Sequence, residues 1–215
     1  MTSTLRGALA ETLATFLFVF SIIAAVNSGS ALTPLAIGLA LMVLVYATGH
    51  ISGAHLNPAV SVGVFLRGAI SATGLIVYVV AQFVGGALAA LLSLVLWPRA
   101  EASVSIEAGP AFLVEALFTF VLVWVVLNVA TSKDHPNNSF YGLAIGATVF
   151  VGATTVGSIS GGGFNPAVAL GLAISGQFAW SSLWLYVLAP VVGAALAAVA
   201  FRVLNSDDVR TAGAE

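Results

Sequence analysis

The sequence predicts an all-α membrane protein, a bundle of six transmembrane helices plus two re-entrant half-helices, built as an inverted internal repeat. Three observations predict it. Of 215 residues, 60% are hydrophobic and 7% charged, against about a quarter charged in an ordinary soluble domain, so there is more apolar surface than one water-soluble core can hide. Six apolar windows are each long enough to cross a hydrocarbon core of roughly 30 Å. A motif in the first half returns, in matched context, in the second.

The windows lie near residues 8–28, 33–51, 73–97, 110–132, 140–157 and 181–203. The first can also be read as a secretory signal, because Arg6 precedes it and the small residues Ala24 and Ala25 follow. Two further apolar segments, about 58–66 and 166–174, are too short to cross. Nine helical residues reach roughly 13 Å, near half the membrane core, so two such pieces meeting end to end make one composite crossing.

The repeat ties these elements together. Ile51-Ser52-Gly53 through Asn57-Pro58-Ala59-Val60 recurs as Ile159-Ser160-Gly161 through Asn165-Pro166-Ala167-Val168, 108 positions on. Leu35-Ala36-Ile37-Gly38 and Tyr78-Val79-Val80-Ala81 have counterparts at the same offset, and Glu11, Thr15 and Phe16 match Glu115, Thr119 and Phe120 at 104. The first window therefore belongs to the first copy, which argues against a cleaved signal. Three spans per copy is an odd number, so the second copy enters the membrane from the opposite face. The reading is one membrane domain over 1–215, with copies at about 7–98 and 110–203 and a poorly ordered polar tail at 204–215.

Basic residues orient the chain. With the amino terminus inside, Arg6, Arg67, Lys133, Arg202 and Arg210 fall on the cytoplasmic side and Arg99 outside, which places both termini in the cytoplasm. The segment 99–109, with Glu101 and Glu107, is then an external loop, and 133–139, with Asp134, His135 and Pro136, an internal turn.

Several function classes drop out. A net charge of −2 from few groups leaves no footprint for nucleic acid. There is no cysteine, hence no disulfide, thiolate site or cysteine nucleophile. His50, His55 and His135 lack a second ligand at a zinc spacing, so neither a metal nor another cofactor is expected. No serine or aspartate in the spans is matched with a base, which argues against an enzyme.

The doubled motif has a physical reading. Pro58 and Pro166 suit first helical positions, where the missing amide hydrogen would be unpaired anyway, and Asn57 and Asn165 then cap the two short helices. A helix start carries about half a positive charge, so two starts and two carboxamide donors would face each other near mid-bilayer. The approaches, Ser52-Gly53-Ala54-His55-Leu56 and Ser160-Gly161-Gly162-Gly163-Phe164, are too irregular for helix. Non-helical backbone at that depth must be buried in protein or line a wet cavity, which makes the carbonyls around Gly53, Ala54, His55, Gly161 and Gly163 an acceptor ladder. Central donors and flanking acceptors suit neutral hydrogen-bonding solutes, and the positive centre disfavours cations and protons.

In these features, over about residues 7–203, the chain resembles the aquaporin (major intrinsic protein) family, in a bacterial-type form. The resemblance implies a homotetramer in the cell (inner) membrane, with one pore per subunit, passing water or small neutral solutes. It also implies that Glu11 and Glu115 brace the two loops; a proton relay is the other role open to intramembrane carboxylates. The family's outer constriction usually holds an arginine directly after the second Asn-Pro-Ala, where this chain has Val168, a departure shared with some plant vacuolar and arsenic-resistance-linked members. The other filter positions match Ile37, Ala153 and Gly162.

None of those four side chains can hydrogen-bond. Two readings stay open: a wide apolar filter admitting glycerol, urea, ammonia, hydrogen peroxide or neutral metalloid acids, or a water-selective bore refilled by Phe164, Tyr46 or Phe150. An ion-coupled secondary transporter is the rival from another class, since it too can have inverted repeats and broken helices. Glu11 and Glu115 are the carboxylates it would have to use within the spans.

Overall fold

The computed structural model describes residues 3–209. Its helices are α1 Ser3–Asn27, α2 Thr33–Ser52, α3 Pro58–Arg67, α4 Ala72–Leu96, α5 Ala108–Thr131, α6 Tyr141–Ser160, α7 Pro166–Ile174, α8 Leu183–Leu204 and α9 Ser206–Val209, with a 3₁₀ turn at Trp180–Ser182 before α8. Among the described residues, six helices are long and apolar enough to cross a membrane. Leu13, Val80, Leu88, Leu113 and Leu196 stay exposed along them, as lipid-facing side chains do.

Local chemistry sets the ends of the short helices. Each opens on an extended asparagine cap followed by proline: Asn57 accepts from the Ala59 amide at 2.8 Å, and Asn165 from the Ala167 amide at 2.9 Å. The helices that lead into the loops, α2 and α6, stop at Gly53 and Gly161, both at φ 86°. That left-handed conformation is the usual helix terminator and favours glycine.

The packing repeats as the sequence does. Within the first copy α1 lies against α4, and within the second α5 against α8. Both contacts need glycine: a Cβ at Gly85 would meet the Thr12 carbonyl, and one at Gly193 the Ala116 carbonyl. The small-residue pairs Gly85 with Ala89 and Gly193 with Ala197 thus serve close helix approach inside one chain. Between copies, α2 crosses α6 where Gly38 and Gly146 meet backbone to backbone, each facing its own repeat counterpart. The half-helices α3 and α7 also touch, α3 packing on α8 and α7 on α4.

The start of the polar tail departs from the expectation of poor order: residues 206–209 form a short helix whose Asp208 is buried. The Asp208 carboxylate accepts from Arg67 at 2.9 Å and from the Lys133 amide at 2.9 Å. Burial alone would raise the Asp208 pKa. The hydrogen bonds from Lys133 and Ser132 and the charge of Arg67 outweigh it and hold the group below its ordinary value. Arg210 and the rest of the tail lie outside the described residues.

Candidate functional site

Each re-entrant loop hangs from one buried carboxylate. Glu11 Oε1 accepts from the Ser52 hydroxyl at 2.6 Å and the His55 amide at 2.9 Å, and Oε2 from the Leu56 amide at 2.8 Å and Gln82 Nε2 at 2.8 Å. Glu115 repeats the pattern with Ser160 at 2.6 Å, the Gly163 amide at 2.9 Å and the Phe164 amide at 2.6 Å. In a trans peptide the N–H of one residue and the C=O of the residue before it point oppositely. Drawing the amides of residues 55, 56, 163 and 164 onto glutamate therefore turns the carbonyls of Ala54, His55, Gly162 and Gly163 away, toward the cavity these residues line.

That backbone is strained. Ala54, Leu56 and Phe164 sit at φ 50°, 51° and 47°, matched across the repeat by Gly162 at 68°. Left-handed non-glycine residues cost on the order of 1–3 kcal/mol each and persist where the surroundings over-determine them. Here the glutamates and the opposite loop do so. Asn57 Nδ2 donates to the Phe164 carbonyl at 2.9 Å, and Asn165 Nδ2 donates to the Leu56 carbonyl at 2.8 Å. A carboxamide nitrogen carries two hydrogens. One on each asparagine is thus held across the junction, which leaves one, rather than both, for a guest.

Asn57 and Asn165 line a single cavity of about 130 Å³. A site for one water needs roughly 10–15 Å³ on this measure, so the volume admits a file of several. Ile37, Ala153, Gly162 and Val168 all line it, as do Phe164 and Phe178. Tyr46 and Phe150 do not line it. Tyr46 is tied to the Ser139 carbonyl at 3.0 Å and the Leu143 amide at 3.1 Å, and Phe150 packs against α2 at Gly38. Two further cavities adjoin this one, meeting it at Ile145 in one case and at His55 and Val126 in the other. They share Gly53 with each other, and their walls include His50, Lys133 and Arg67.

Several side chains here escaped the motif reading. Gln82 reaches Ser61 at 2.9 Å as well as Glu11, and Ser61 in turn holds His55 Nδ1 at 3.0 Å. Tyr78 and Tyr186, matched in the repeat, donate to the carbonyls of Ser52 and Ser160. The sequence signal for the first group was a mismatch: the repeat counterparts of His55, Ser61 and Gln82 are Gly163, Ala169 and Pro190. Phe178, stacked on Tyr186 at 4.3 Å between ring centres, has no such signal.

Known proteins share this architecture and much of the sequence. The family model described as "Major intrinsic protein" matches residues 1–201. A "Glycerol uptake facilitator protein-like 6" from Lactiplantibacillus plantarum is 43% identical over 217 residues, covering 95% of this chain and 100% of that one. A "Probable aquaporin AqpM" from Archaeoglobus fulgidus is 36% identical, covering 80% and 76% respectively. The X-ray structure of the aquaglyceroporin from Plasmodium falciparum superposes with a TM-score of 0.83 over 96% of this chain and 99% of that one, at 24% identity, a likeness of fold.

Proposed function

The chain belongs to the major intrinsic protein family and is a passive multi-pass channel for water or small solutes, and from that premise we propose that its pore admits uncharged solutes larger than water through a wide apolar constriction. Ile37, Ala153, Gly162 and Val168 form that constriction, with glycerol, urea, ammonia, hydrogen peroxide or neutral metalloid acids as the guests. Asn57 and Asn165 supply the central donors, and the carbonyls beside Glu11 and Glu115 supply the acceptors. The observation that carries the reading is that all four apolar positions line the same cavity as both asparagines. A relative of similar length bears the name of a glycerol uptake facilitator, which supports the larger-solute side.

Without an arginine at position 168, the exclusion of cations and protons rests on the two helix starts that meet at the asparagines. The carboxylates have another task. Every oxygen of Glu11 and Glu115 already accepts from loop or side-chain donors, which favours bracing over a proton relay. We place both termini in the cytoplasm, since Arg67, Lys133 and Arg202 gather at one end of the bundle and Arg99 stands at the other. The working unit is a homotetramer in the cell membrane with one pore per chain.

The second reading, a water-selective bore, draws on Phe164 and Phe178 at the cavity wall. Stopped-flow light scattering on reconstituted vesicles separates the two. Val168→Arg is expected to lower glycerol and urea permeability at least about ten-fold, equivalent to ~1.4 kcal/mol of barrier, with water flux kept. Unchanged solute uptake in that variant would count against the filter assignment. A wild-type protein that passes water alone would favour the refilled bore, and saturable flux driven by an ion gradient would point to a transporter.

A further inference from the structure

We propose that Gln177 is the side chain that selects among neutral solutes at the outer end of the cavity, and that it favours small hydroxylated ones. The inference rests on the channel reading above and adds a residue to it. None of the four filter side chains can hydrogen-bond a guest. The polar side chains on the cavity wall are His55, Asn57, Asn165 and Gln177. Asn57 and Asn165 sit at the junction of the half-helices, and His55 Nδ1 is held by Ser61 in the first loop. At the other end, beyond Val168, the wall has Gln177.

Its position is fixed by the main chain. The Gln177 amide donates to the Leu172 carbonyl at 2.8 Å, and the Gln177 carbonyl accepts from the Val104 amide at 2.9 Å. The residue is thereby stitched to the last turn of α7 and to the segment joining α4 to α5, with Phe178 next to it against Tyr186. Its side chain is not so held: Oε1 is buried with no hydrogen-bond partner among the described residues. A buried acceptor left unpaired is unfavourable and calls for an explanation. The last torsion of glutamine is broad and two-fold, so the carboxamide can present either its acceptor or its donor to the cavity.

A hydroxyl group is both donor and acceptor. A polyol passing this point can satisfy the carboxamide while its carbon face lies on Val168 and Phe178. A solute that fills the bore has shed its own water and needs such a partner, whereas water in file keeps its neighbours. The repeat counterpart of Gln177 is Ala69, so the selecting group belongs to the outer mouth and has no twin on the inner side.

The test compares glycerol and water permeability in vesicles carrying wild type or Gln177→Met, which keeps the length and loses the hydrogen bonding. The ratio of glycerol to water permeability is expected to fall about five-fold, with water flux within about two-fold of wild type. A ratio equal to that of wild type overturns the proposal, and so does an equal loss of both fluxes, which marks a role in packing. Should the methionine variant not assemble, Gln177→Leu is read in the same way. Wild-type vesicles no more permeable than protein-free ones would instead sink the channel reading itself.

Discussion

In the first loop Glu11 divides its carboxylate among Ser52, His55, Leu56 and Gln82, whereas Glu115 in the second serves Ser160, Gly163 and Phe164. Both loops follow nearly the same path: Gly53 and Gly161 share φ 86°, and Leu56 and Phe164 differ by only a few degrees at 51° and 47°. The means of holding that path differ. Around the first loop His55, Ser61 and Gln82 form a chain of polar contacts. Around the second, glycine, alanine and Pro190 stand at those places, and Phe178 and Tyr186 pack in against Gly163. What is common to both copies is the carboxylate, the serine and tyrosine that hold the start of the loop, the asparagine cap and the backbone path, so these are the parts the pore geometry requires. What differs is support, which one copy builds from hydrogen bonds and the other from aromatic packing.

The sharpest way to break this comparison is to remove each carboxylate. Glu115→Ala strands two buried amides and a hydroxyl, and is expected to destabilise the protein by roughly 3–6 kcal/mol. Glu11→Ala should cost about half as much, because Gln82 keeps Ser61 and has an unpaired Oε1 able to take up a loop amide. Thermal unfolding in detergent reads both. Equal losses would mean that the polar chain around the first loop gives no redundancy.

A smaller effect sharpens the same point. Gln82→Leu leaves Glu11 with three donors, the number Glu115 has, and should cost about 1–3 kcal/mol while water and solute permeability stay near wild type. A large loss of permeability would show that the first loop depends on Gln82 for its shape, which the second loop's independence of any such residue argues against.

The smallest expected effect concerns the far ends of the half-helices. The Leu66 carbonyl, at the end of α3, accepts from Arg202 at 3.3 Å, and its counterpart Ile174, at the end of α7, accepts from Arg99 at 3.3 Å. Both cations meet the negative pole of a helix. The first copy adds a further tie, Arg67 to Asp208. Because the Asp208 pKa is lowered by folding, its contribution is complete above the ordinary value of 3.8 and is lost as pH falls through the depressed one. Asp208→Asn should lower the melting midpoint by about a degree or two at neutral pH. That difference should vanish well below pH 3.8. A difference that persists in acid would assign the effect to the helix of the tail rather than to the charge.

The linear chain carried a good deal of this. Apolar run length gave the six crossings, and the Asn-Pro pairs located the half-helix starts to the residue, since a cap and a first-turn proline are local, short-range constraints. Matching the copies paired Glu11 with Glu115, and the family resemblance implied that they brace the loops. Boundaries shifted modestly: α3 runs on to Arg67 and α6 to Ser160, because a helix end is decided by where its last carbonyls find donors. The repeat also misled in one respect, since it drew attention to what the copies share and away from Ser61 and Gln82, which they do not.

By itself, then, the sequence determined the class, the doubling, the inverted sense and the identity of the two asparagine caps, because each follows from periodicity, length or a neighbour a few residues away. Only the tertiary structure decided that Asn57 spends one hydrogen on Phe164, that Gln82 completes Glu11, that Asp208 seals Arg67, and that Gln177 stands unpaired at the cavity wall. Those contacts join residues far apart in the chain, and they depend on how each helix is rotated about its axis against its neighbours, a quantity that packing fixes and no local pattern records.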